Sequence, residues 1–66
     1  MILIRAWTNR NTMVEWNYDT HQQAAAFWKK LIETGRTPDT NDGLSRAYYW
    51  GPNRRKGDGP DKAWAA

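Results

Sequence analysis

Only one stretch of this chain can lay down a long apolar face. Ala24, Phe27, Trp28, Leu31 and Ile32 fall at i, i+3, i+4, i+7 and i+8, the spacing of a helix packed along one side. Asp19 and Thr20 precede it as N-cap residues, each with a glutamine three positions on (Gln22 and Gln23), and Gly35 follows as a residue free to take the left-handed C-terminal conformation. The spacing predicts a helix that starts after residue 19 or 20 and stops near Thr34. Everything else in the core must then come from strands.

Three segments have strand character. Residues 1–8 (MILIRAWT) are rich in β-branched and aromatic side chains. Residues 12–18 (TMVEWNY) alternate Thr12, Val14, Trp16, Tyr18 against Met13, Glu15, Asn17, a period of two with one buried side. The polar cluster Asn9-Arg10-Asn11 between them is short enough for a hairpin, and asparagine tolerates the positive φ that such turns demand. Residues 36–43 (RTPDTNDG) hold no large apolar side chain and read as a solvated loop. Residues 44–50 (LSRAYYW) return to strand composition until Gly51-Pro52 ends the run.

These elements predict an α+β domain over residues 1–52. Its order is β-β-α-β, a three-stranded, mostly antiparallel sheet with the helix across one face. Residues 53–66 (NRRKGDGPDKAWAA) have two glycines, a proline and little apolar content, so they are expected to form a flexible basic tail. That segment carries four basic and two acidic residues, which places +2 of the chain's net +3 outside the domain.

Composition excludes more than it asserts. The chain has no cysteine and a single histidine, so neither a disulfide framework nor a zinc cluster can be assembled. No apolar run approaches the roughly 18 residues of a membrane span, and the expectation is a soluble, cytoplasmic protein without a membrane partner. For catalysis the inventory reduces to His21, the lone Ser45 and scattered carboxylates, with no spacing that joins them. The segment Asp39-Thr40-Asn41-Asp42-Gly43 has part of a calcium-loop pattern but not its terminal glutamate, and a capped turn accounts for it. No enzyme activity, cofactor or metal is expected.

The aromatics are the informative residues: five tryptophans, three tyrosines and one phenylalanine exceed what so small a core can cover. With Ile2, Ile4, Val14, Trp16, Phe27, Leu31 and Ile32 beneath the helix and Leu44, Tyr48 and Trp50 turned inward, the open face presents Arg5, Trp7, Met13 and Tyr49, with Trp50 at the strand end. Trp, Tyr and Arg together dominate protein interfaces. The expectation is therefore a non-enzymatic protein that engages a protein partner through this face or a sheet edge. Chains of this size and economy are frequent among phage products, so a regulator or inhibitor of a larger host machine fits the reading. Arg5, Trp7, Tyr49, Trp50, Arg54, Arg55 and Lys56 are the partner-binding candidates. The alternative is a single-stranded DNA or RNA binder that stacks bases on the exposed rings and clamps phosphates with the triplet Arg54-Arg55-Lys56. A free edge and a small core also make a homodimer accessible.

Overall fold

The computed structural model describes residues 1–52 and 59–66. Its elements are β1 (Ile2–Thr8), β2 (Met13–Tyr18), α1 (His21–Thr34), β3 (Leu44–Trp50) and β4 (Lys62–Ala65). The class is α+β as predicted, but the sheet has four strands in the order β2-β1-β3-β4, every pair antiparallel. The chain order is therefore β-β-α-β-β. Among the described residues no helix is long and apolar enough to cross a membrane.

Local chemistry explains the boundaries. The hairpin between β1 and β2 closes where Asn11 donates its N–H to the Thr8 carbonyl at 2.9 Å with φ of 62°, and Thr8 donates its own N–H to the Thr12 carbonyl at 2.9 Å. Asparagine occupies the left-handed position that follows the turn in three-residue hairpin loops. Helix α1 begins at Thr20, whose hydroxyl accepts the Gln23 N–H at 3.2 Å. It ends at Gly35, where φ of 64° lets the N–H reach the Leu31 carbonyl at 3.0 Å.

Because β2 and β3 each run antiparallel to β1 on opposite sides of it, α1 carries the chain across β1. Its stripe packs on β1 and β2. Ala24 and Leu31 bury against Ile2, Ile4 and Ala6, while Phe27 packs on Trp16 (ring centroids 4.7 Å apart) and Tyr18 (5.5 Å). Of the core expected beneath the helix, Ile2, Ile4 and Leu31 are fully buried and Trp16, Phe27 and Ile32 seal its margins, while Val14 is only half-buried and stands outside the cluster.

Three expectations are corrected. First, residues 62–65 are a strand and not tail: Trp64 pairs with Ala47 on the helix-covered side and packs against the core. Asp61 anchors the entry to β4, its carboxylate accepting the Gly51 N–H at 2.8 Å and its N–H bonding the Tyr49 carbonyl at 2.7 Å. The basic triplet Arg54-Arg55-Lys56 lies outside the described residues.

Second, β3 is out of phase with simple alternation. Trp7 pairs with Arg46 but Thr8 pairs with Leu44, so Ser45 is an extra residue, a β-bulge. Beyond it the sides exchange. Leu44, Ala47 and Tyr49 are buried under α1, and Tyr48 and Trp50 lie on the opposite face. Third, the 36–43 loop is tied down. Thr37 is fully buried, its N–H bonds the Asp42 carbonyl, its carbonyl accepts the Asn41 N–H at 2.7 Å, and Arg36 bridges Gly43.

Two stability outcomes follow. Leu31→Ala should cost about 2–5 kcal/mol in chemical denaturation, the range for removing a buried leucine side chain from a core that cannot fully collapse. Ending the chain at Gly59 should lower the melting temperature by several degrees, because Ala47 and Tyr49 lose their cover; an unchanged melt would show that β4 contributes nothing.

Candidate binding surface

The face of the sheet turned away from α1 is built by the two central strands. Register places Leu3, Arg5 and Trp7 of β1 beside Trp50, Tyr48 and Arg46 of β3, with Asn17, Glu15 and Met13 of β2 on the other flank. Ala63 and Ala65 of β4, opposite Tyr48 and Arg46, are too small to cover it.

The large side chains form a ladder of alternating guanidinium groups and indole rings. Arg46 lies over Trp7 at 4.4 Å from the ring centroid, and Arg5 lies 6.0 Å from Trp7 and 5.3 Å from Trp50. Tyr48 stands edge-on to Trp7 at 5.8 Å and tilts against Trp50 at 5.9 Å. Each Arg–Trp contact is worth about 0.5–1 kcal/mol at an exposed site, so together they hold rotamers that would otherwise be free. Arg5 is further fixed by Glu15, with Nε and Nη2 each 2.6 Å from Oε1. Both side chains are about one-third exposed (34% and 35%), which limits the pair to the small contribution of a surface ion pair. Leu3, Trp7, Tyr48 and Trp50 are half-buried, and Arg46 and Met13 are exposed.

Of the residues expected at the surface, Arg5, Trp7 and Trp50 come together here. Tyr49 does not. It is 5% exposed and faces α1, with its ring edge-on to Trp28 at 5.8 Å, the Lys62 ammonium 5.2 Å above it, and its hydroxyl 3.3 Å from His21 Nδ1. Arg46 and Tyr48 take its place. One signal in the sequence pointed to them: strict alternation from Leu44 drives the charged Arg46 into the core, a conflict that a one-residue slip relieves. Arg54, Arg55 and Lys56 fall outside the described residues.

Other features were assessed for chemistry. Among the described residues no three His, Asp or Glu side chains gather as a metal site. His21 sits beside Tyr49, at the opposite end of β3 from Ser45. A cavity of about 320 Å³ opens between α1 and the 36–43 loop, with Phe27, Leu31 and Pro38 as apolar lining and Lys30 and Arg36 at its border; none of the surface candidates reaches it. Comparison with protein-family models, with curated proteins and with solved structures gave no match.

The Tyr49 phenol is raised above its ordinary value of 10.0 by burial and, second, by the Asp61 carboxylate; Tyr18 is raised by burial and then by Asp39. Folding thus favours the neutral phenols. The stabilisation is complete below pH 10 and is lost as pH climbs through the raised values. Denaturation midpoints should hold up to about pH 10 and fall above it, and Tyr49→Phe should make that alkaline fall shallower.

Proposed function

We propose that this chain is a non-enzymatic binding protein that engages a protein partner through the open sheet face, with Arg5, Trp7, Arg46, Tyr48 and Trp50 as its anchors. The observation that carries the reading is the Arg46–Trp7–Arg5–Trp50 ladder, held rigid on a face that no described element covers. Large aromatic and arginine side chains with fixed rotamers lose little entropy on binding and still present N–H donors to carbonyl or carboxylate groups. Such a surface suits a regulator or inhibitor that acts by occupying part of a larger protein.

Two features favour a protein over a single-stranded nucleic acid. Base stacking needs open ring faces, and guanidinium groups lie over Trp7 and Trp50. Phosphate binding needs uncompensated cations, and Arg5 is paired with Glu15, which leaves Arg46 as the free charge of the ladder among the described residues.

A tagged chain used as bait in nuclease-treated extract, with Trp7→Ala and Trp50→Ala baits beside it, tests the proposal. A protein retained by the parent should be lost with either variant and kept with Lys29→Ala on the exposed side of α1. With the purified partner, each tryptophan change should cost on the order of 2 kcal/mol, about 30-fold in Kd. Binding of labelled single-stranded oligonucleotides tighter than about 1 μM near physiological salt would overturn the protein reading.

A further inference from the structure

The two edges of the sheet are not alike. β4 is four residues long, is entered through Pro60 and Asp61 and carries Lys62, the short, charged, proline-flanked form that resists further pairing. β2 has six residues, none of them proline, glycine or lysine, and none is buried. Its flank also bears Met13, 47% exposed.

The hairpin fixes which backbone groups point outward. Thr8 bonds the Thr12 carbonyl, and antiparallel pairs alternate between bonded and non-bonded. Val14, Trp16 and Tyr18 therefore direct their N–H and C=O groups to Ala6, Ile4 and Ile2 of β1, and Met13, Glu15 and Asn17 direct theirs away from the sheet. No other described element bonds them.

We infer that the β2 edge is an isologous dimer interface, where the β2 strand of a second copy adds antiparallel to make one eight-stranded sheet. The strand is complementary to itself. With Trp16 opposite its own copy, Val14 meets Tyr18 and Glu15 meets Asn17, so aromatic and β-branched pairs share the helix side and a hydrogen-bonding pair lies on the other. Glu15 and Asn17, whose backbone groups point outward, then exchange ladder bonds with each other. The rival register centred on Glu15 sets like charges face to face and is disfavoured. Glu15 is the only charged residue of β2 and is compensated by Arg5, so in this register no like charges stand opposite one another along the seam. Since pairing consumes the β2 edge and the other described edge, β4, resists addition, growth stops at two.

Sedimentation equilibrium of the full chain over a micromolar-to-millimolar series tests this. The expected result is a mass rising from 7.7 kDa to twice that value. Asn17→Pro deletes an outward N–H and leaves the Trp16 and Tyr18 ladder bonds in place; it should stay monomeric with an unchanged circular dichroism spectrum, and Trp7→Ala should dimerise like the parent. Should Asn17→Pro fail to fold, amide exchange of the parent decides the matter. The Glu15 and Asn17 amides should slow by about tenfold or more between dilute and concentrated samples, with Val14 and Trp16 unchanged. A parent of 7.7 kDa at millimolar concentration, exchange rates indifferent to concentration, a folded Asn17→Pro variant that still dimerises, or open-ended assembly would each overturn the inference.

Discussion

The contact between α1 and β1 is the one on which the other elements depend. Ile2, Ile4 and Ala6 are at most 1% exposed, and they reach that state only because Ala24 and Leu31 lie directly over them. Apolar burial at about 25 cal/mol per Å² is the main favourable term for a chain of this length, and one helix on one central strand supplies most of what is available. A single helix is narrower than four strands, so its flanks need filling. Phe27, Trp16 and Tyr18 close the β2 side, and Trp28, Tyr49 and Trp64 close the β3–β4 side. Six of the nine aromatics are thus spent sealing the sides of a thin core.

The remaining three, Trp7, Tyr48 and Trp50, lie on the other face with two arginines. Without those arginines the face would be a bare aromatic patch, the kind that drives aggregation. With guanidinium groups over the indoles, the same rings stay beside water while their edges and the arginine donors remain available. Shielded ring faces and available donors are combined in one arrangement, and β1 links it to the core: Ile2, Ile4 and Ala6 point to the helix while Leu3, Arg5 and Trp7 point away.

Much of this was legible before any coordinates. Thr20 and Gly35 announce the helix ends through hydrogen-bonding and φ requirements that are local, and Asn11 announces the hairpin for the same reason. Arg5 and Trp7 are recognisable as residues of the open face. What could not be read depends on partners distant in sequence. The slip at Ser45 is defined by pairing with Thr8 across more than thirty residues, and it reverses the assignments of Tyr48, Tyr49 and Trp50. β4 has one large apolar residue in four, too few for a periodic signal, and exists because Ala47 leaves room for Trp64. The loop wall built by Thr37 likewise rests on a threonine whose burial composition does not foretell.

The clamp between Gly51 and Asp61 separates two tasks along the chain. A Cβ at Gly51 would lie 2.6 Å from the Asp61 carboxylate and displace it, so glycine is what lets the carboxylate accept the Gly51 N–H and stitch the two strands together at that point. Closing a longer connection costs only about 0.6 kcal/mol for each doubling of its length. On that scaling the number of residues spanned changes the cost of bringing β3 and β4 together by little, so the Gly51–Asp61 bond, and not the length of the connection, sets where the two strands meet.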